Sequence, residues 1–405
     1  MDVLSEIKKV NDDLIKWRRH LHENPELGFD LENTCKFVSE KLDEFGIENH
    51  RNFKGAVIGY INPESKGKVI ALRGDMDALP VNEETGLEFA SKVKGRMHAC
   101  GHDAHTAQLL AAAKVLSEQK DEIDGKIMLI FQPAEELGTG SIEIADSEEF
   151  SKVDEVLGCH DGNLAEFSSY PQGALIFSAG PTMATMDKFT IDIKGRGAHG
   201  SQPENSIDPI VIASYIITDV QEKVAREISP FEPVVISFGL INSGKAFNII
   251  PETAHLEGTT RTLRPETRDI VEKSLRKIIE GIGETLRARI EFNYIRKHPS
   301  VINDPKVTEK LMVSAKKLFP ENVYELKKPL MSGEDFSVYL EKKPGSFFFL
   351  MNPKKIDGKI FAHHSPKFAM DEEYFYQVPA VMVQYVMDQI GKKKNQAIKV
   401  WSFIF

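Results

Sequence analysis

Three cysteines in 405 residues are too few, and odd in number, for a disulfide framework. A reducing compartment, the cytoplasm, is the expected location. No apolar run comes near the length a membrane helix needs, about 18 residues. Met1 to Lys9 carries charges where a secretory leader would have an apolar core. Basic excess is lacking too: the net charge is −10, which argues against a surface that neutralises a nucleic-acid backbone. What remains is an ordinary globular composition, with 41% hydrophobic and 28% charged residues. At about 150 residues per domain, the length suggests two or three domains.

Leu4 to Leu21 is amphipathic and predicts a helix, and a second helix covers about Leu31 to Phe45. Short apolar runs follow at Val69 to Leu72, Ile127 to Phe131 and Val153 to Leu157, with an Ala-rich helical pattern from Ala104 to Leu116. Buried runs alternating with helices predict an α/β unit with a mixed or largely parallel sheet flanked by helices. After Pro181 the pattern changes. Phe189, Ile191 and Ile193 alternate with polar residues, Pro209 to Arg226 predicts a helix, and strand-like runs cover Val234 to Leu240 and Thr253 to Leu263. A helix with Ile270, Val271, Leu275, Ile278, Ile279, Ile282 and Leu286 on one stripe precedes a strand at Ile290 to Ile295. That βαββαβ order is ferredoxin-like. α/β character returns with helices at Lys306 to Leu318 and Glu372 to Ile390 and a buried strand at Phe347 to Met351. The expected organisation is a discontinuous catalytic domain, residues 1–183 and 297–405, with an α+β domain inserted at 184–296. The tail after Lys392 is basic, then apolar, and reads as a packing segment.

The densest chemistry is Met97-His98-Ala99-Cys100-Gly101-His102-Asp103-Ala104-His105, with three histidines, a cysteine and an aspartate in nine residues. Thiolate and imidazole are preferred ligands of zinc-like metals. In an extended segment Cys100 and His102 would point the same way, with Asp103 or His105 holding them in place. Next, Ile130-Phe131-Gln132-Pro133-Ala134-Glu135-Glu136 sets two carboxylates at a strand end. One can bind metal while the other acts as a base. Taken alone, the pair would read as a solvated opening of a helix. Val156-Leu157-Gly158-Cys159-His160 again ends in an imidazole, and His363-His364-Ser365-Pro366 lies late in the chain. The first three elements are all expected at strand ends. Asp75 and Asp77 either hold ligating groups or cap a turn. In the insert, His199 sits in the Gly-rich loop Gly195 to Pro203 and can donate to an oxyanion. Asn248 and Arg261 are candidate substrate binders, because arginine grips carboxylates bidentately.

Together these motifs resemble the M20 metallopeptidases, in the amidohydrolase branch that includes aminoacylase-like enzymes, hippurate hydrolases and auxin-conjugate hydrolases. The resemblance runs from Arg18-Arg19-His20-Leu21-His22 and Pro25-Glu26-Leu27-Gly28 through Arg73 to Pro80 and Ser332-Gly333-Glu334-Asp335-Phe336 to about Glu373. It implies a zinc-peptidase-like catalytic domain and a lid or dimerisation domain. It also implies two divalent ions (Zn, Mn, Co or Ni) on Cys100, His102, Glu136, His160 and His364, the last chosen because it sits two before Pro366. Glu135 matches the general acid/base, Asp77 the orienting aspartate, and His199 the carbonyl-polarising histidine that reaches across a homodimer. Asn248 and Arg261 match substrate binders. The implied substrate is a small N-acyl amino acid. Asp161-Gly162-Asn163 departs from the pattern, which has an apolar or aromatic residue and a proline turn there. Rival readings are a dipeptidase or aminopeptidase of the same fold, an inert metal-stabilised binding protein, and a redox role for Cys100.

Overall fold

The computed structural model describes residues 1–163 and 170–392. The apolar tail expected to pack lies outside the described residues. The first helix, Val3–Glu23, is capped by the Asp2 side chain, which accepts from the Ser5 N–H. It buries Ile7, Val10, Leu14, Trp17 and Leu21 on one stripe. That stripe packs against the helix His102–Glu118, which is buried nearly all round.

Eight strands form the main sheet, in the order Glu48–Asn52, Ala56–Ile61, Lys126–Gln132, Val69–Asp75, Glu155–Gly162, Gly345–Met351, Leu175–Phe177 and Val323–Glu325. The central four are mutually parallel. Both of their faces are covered, which is why they read as unbroken apolar runs. Because they are parallel, their carboxyl ends share one edge, the usual place for a site in such sheets. The hairpin Glu48–Asn52 to Ala56–Ile61 was not foreseen. Gly59 interrupts its apolar pattern, yet a Cβ there would stand 3.1 Å from Leu42 Cδ1.

A second sheet runs Val234–Ser243, Thr253–Thr262, Asp187–Lys194, Arg289–Arg296, all antiparallel. The helices Pro209–Glu227 and Pro265–Thr285 connect its strands in βαββαβ order, as expected. Phe189, Ile191, Ile193, Ile216, Leu256, Leu275 and Ile279 give it a hydrophobic cluster of its own. Ile270 leaves the expected stripe and is exposed, while its neighbour Val271 is buried.

Candidate active site

The strand ends deliver the first side chains. Asp75 closes its strand, and its carboxylate accepts from His105 Nδ1–H at 2.6 Å. His105 Nε2 accepts from the Asp161 backbone N–H at 2.9 Å. Both ring nitrogens are thereby used, so His105 positions its neighbours and offers no lone pair to an ion.

Cys100 and His102 do not lie on an extended segment at a strand end. Gly101 adopts φ 96°, and His102 opens the helix that follows. The turn replaces the alternation expected from the sequence, and both side chains still reach Glu136. Arg18 Nε lies 2.9 Å from Asp103 Oδ2 and His22 Nδ1 lies 2.6 Å from it, pinning that helix start to the first helix.

Asp77 organises the centre. Its backbone carbonyl accepts from His102 Nδ1–H at 2.8 Å. Its carboxylate accepts from the Glu135 N–H at 2.9 Å and the Glu136 N–H at 3.2 Å. Ala134, at φ 54°, turns that loop. His102 Nε2 is thus left as a buried lone pair without a hydrogen-bond partner, 4.0 Å from Glu136 Oε1, itself buried and unpartnered. His160 repeats the device. Its Nδ1–H donates to the Asp161 carbonyl at 2.8 Å, and Nε2 faces Cys100 Sγ at 3.5 Å.

His364, at φ 66°, is half exposed and places Nε2 3.4 Å from Glu136 Oε1. Its neighbour His363 touches Cys100 Sγ through Nδ1 at 3.8 Å, while its Nε2 accepts from the Asn163 N–H at 3.0 Å. His363 therefore presents a proton to the sulfur. Two groups, Cys100-His102-Glu136 and Cys100-His160-His363, share the cysteine. Asp161, the departure noted in the sequence, faces inward: Gln108 Nε2 donates to it at 2.6 Å.

Arg261 lines the same cavity of about 390 Å³ as Cys100, Glu135, Glu136 and His160. His199 and Asn248 do not line it. They lie exposed beside each other, where Ala198–His199 pairs with Ile249–Ile250. Sequence reasoning gave no role to four residues here, three of which stood in its motifs. Arg73 is buried and donates to Gln132, Asp75, Glu334 and Asp335. Glu334 and Asp335 crowd Glu135, with ligand-grade oxygens within 4.8 Å of one another. His298 lines the cavity.

The model of peptidase family M20/M25/M40 matches residues 71–388. The chain belongs to that family. It is 41% identical over 374 residues to thermostable carboxypeptidase 1 of Saccharolobus solfataricus, covering 91% of this chain and 93% of that protein. It is 38% identical over 388 residues to N-acetylcysteine deacetylase of Bacillus subtilis, covering 94% and 99%. A solved dinuclear metal-binding peptidase of family M20 from Bacillus subtilis superposes with a TM-score of 0.81 at 34% identity, over 95% of this chain and 99% of that one. This M20 chain is accordingly a metal-dependent hydrolase of amide bonds.

The donor set of this M20 chain fits divalent cations. Two buried ligand atoms lack partners, and sulfur, nitrogen and oxygen donors meet at Cys100. Burial works against a charged His102, yet Asp75 and Asp77 raise its pKa well above the ordinary 6.5, so the surroundings favour positive charge. Among the described residues no helix is long and apolar enough to cross a membrane.

A pH prediction follows from the same excess of carboxylates. Burial pushes the acids of Glu334 and Asp335 up to about 8 and about 6, despite Arg73. An acid raised in the folded state gives stability at low pH that is lost as pH rises through the folded value. Burial pushes His98, His298 and His363 down to about 3, 4 and 3, and their opposite effect, half complete at the ordinary 6.5, ends about one pH unit higher. From about pH 7.5 up to the Glu334 value of about 8 the chelated protein should therefore lose stability, at up to about 1.4 kcal/mol per pH unit for each proton that unfolding releases. Melting temperatures at the two pH values, with and without divalent metal, measure it. A chelated protein equally stable at both would contradict the assignment.

Proposed function

We propose that the chain hydrolyses N-acyl amino acids to a carboxylic acid and a free amino acid. The observation that carries this reading is Arg261. Among the described residues no carboxylate pairs with it; its Nη1 donates only to the Thr185 carbonyl at 3.4 Å. It faces the cavity that holds Glu135. A half-buried guanidinium that feels the Asp187 charge but has no carboxylate in contact is suited to receive one. Carboxypeptidase substrates and N-acyl amino acids share a free carboxylate one carbon from the scissile amide nitrogen, which aminopeptidase substrates need not have.

In this reading Cys100, His102, Glu136, His160 and His364 hold two divalent ions, Zn, Mn, Co or Ni. When bound, these supply Lewis acidity to the carbonyl and acidify water. Asp77 orients His102 and the Glu135-Glu136 loop. Glu135 takes the proton of the attacking water and returns it to the leaving amine. His199 Nδ1 accepts from the Ser201 N–H at 3.2 Å, which leaves the proton of the neutral ring on Nε2, a donor for the oxyanion. Residues 184–296 act as a lid and as the homodimer contact, so that His199 and Asn248 of one subunit complete the site of the other. Exposed Ile210, Val211 and Tyr215 on one helix, and Leu240 and Ile241 on the edge strand Val234–Ser243, support that contact. A monomer in sedimentation would remove it.

The test is amino-acid release from N-acetyl, N-benzoyl and dipeptide substrates by metal-loaded and chelated protein. Arg261→Met should raise KM roughly tenfold to a hundredfold, in line with the loss of a charge-assisted contact. It should leave the already poor rates on α-carboxamide analogues unchanged. Release from dipeptides alone would make the chain a dipeptidase, and silence throughout would reject the reading.

A further inference from the structure

Resting on the carboxylate-binding role of Arg261, we propose that His298 is a further substrate-binding residue, whose unprotonated Nε2 accepts a hydrogen bond from the N–H of the scissile amide. The tautomer is fixed by the structure. His298 Nδ1 lies 3.2 Å from the Pro299 carbonyl oxygen, which can only accept, so the proton sits on Nδ1 and the lone pair on Nε2. Among the described residues nothing donates to Nε2.

The ring is held rather than loose. A Cβ on Gly333 would stand 2.4 Å from its Cε1, and one on Gly138 would stand 3.2 Å from its Cδ2. Gly138 is three residues beyond Glu135, and Gly333 precedes Glu334. The imidazole is therefore wedged between the two loops that flank the base. Its backbone carbonyl accepts from the Met186 N–H at 3.3 Å and from Arg268 Nη2 at 3.4 Å, which fixes the residue from behind. The side chain lines the cavity shared by Arg261 and Glu135. Burial, reinforced by the Arg261 charge, keeps it neutral at pH 7.

A fixed, neutral acceptor beside a cation has no attraction for a carboxylate. It calls for a donor close to one. In an N-acyl amino acid that donor is the amide N–H, separated from the carboxylate by a single carbon. Holding this hydrogen on His298 leaves the remaining position on nitrogen for the lone pair that takes the proton from Glu135. The contact therefore orients the leaving group as well as binding it.

The experiment compares N-acetylalanine with its ester analogue, O-acetyl-lactate, in which oxygen replaces N–H. His298→Leu in the metal-loaded protein should lower kcat/KM for the amide roughly tenfold, the effect of one lost hydrogen bond, and leave the ester rate unchanged. His298→Gln, which keeps an acceptor near the position of Nε2, should restore much of the amide rate. Should His298→Leu fail to fold, His298→Gln against His298→Asn makes the same comparison, since the shorter amide does not reach the Nε2 position. Equal losses on amide and ester, or no loss on either, would overturn the proposal. A wild-type protein silent on both substrates would overturn the N-acyl amino acid reading, and this proposal with it.

Discussion

Glu135→Gln should lower turnover by roughly 10²–10⁴-fold, the usual contribution of a positioned acid/base group, while metal content and melting temperature stay at wild-type values. Glu135 owes its place to its backbone, since its N–H donates to Asp77 at 2.9 Å and does not depend on the carboxylate. Oε1 accepts from the Asp335 N–H at 3.4 Å, and Oε2, 3.9 Å from His102 Nε2, is left for proton transfer. Burial, then Glu334, Glu136 and Asp335, push its pKa well above that of an ordinary glutamate. A raised pKa makes the carboxylate a stronger base toward the attacking water and keeps the group protonated near neutral pH until the leaving amine takes the proton. Glutamine fills the same volume and removes one charge from a crowded anionic cluster, so the fold has no reason to weaken. Metal analysis and calorimetry on the variant separate the two roles that a site carboxylate can have. A variant that keeps near-normal activity would strip Glu135 of the proton-transfer role. One that loses metal would make it a ligand instead.

The parts of this molecule legible in its sequence are those governed by local rules. Val69 to Leu72, Ile127 to Phe131 and Phe347 to Met351 read as strands because both faces are buried, and the stripe from Val271 to Ile282 reads as a helix because one face is. Val323–Glu325 and Leu175–Phe177 were invisible because three residues carry no period. The cluster around Cys100 was conspicuous in composition, but its conformation was not. Gly101 permits both an extended strand and the left-handed turn that the chain adopts, where a Cβ would stand 3.0 Å from Met370 Sδ. His298 had no motif to announce it. Arg73, Glu334 and Asp335 stood in motifs, but their pairing was not legible, since Arg73 lies 261 and 262 residues from those partners and no spacing rule spans that distance.

Arg73→Leu should cost about 3–5 kcal/mol of folding stability, the range for breaking a buried ion pair from one side. Arg73 is 2% exposed and its guanidinium is fully engaged. Nε donates to Gln132 Oε1 at 3.0 Å, Nη1 to Asp75 Oδ2 at 2.5 Å, and Nη2 to Glu334 Oε1 at 3.1 Å and Asp335 Oδ1 at 3.0 Å. Leucine leaves three buried carboxylates without a cation. It also releases Gln132, the last residue of the strand that leads to Glu135. Arg73→Lys restores the charge but not the planar fork, and should recover only part of the loss. The deficit should depend on pH. At pH 5 Glu334 and Asp335 carry protons, because their acids are raised to about 8 and about 6 even with Arg73 present, whereas at pH 8 the wild-type Asp335 is ionised and Glu334 about half so, and the missing cation is felt. Denaturant titrations of chelated wild type and variant at the two pH values measure this directly. A deficit below about 1 kcal/mol, or one that is the same at both pH values, would mean that Arg73 is not what balances the carboxylates behind the catalytic base.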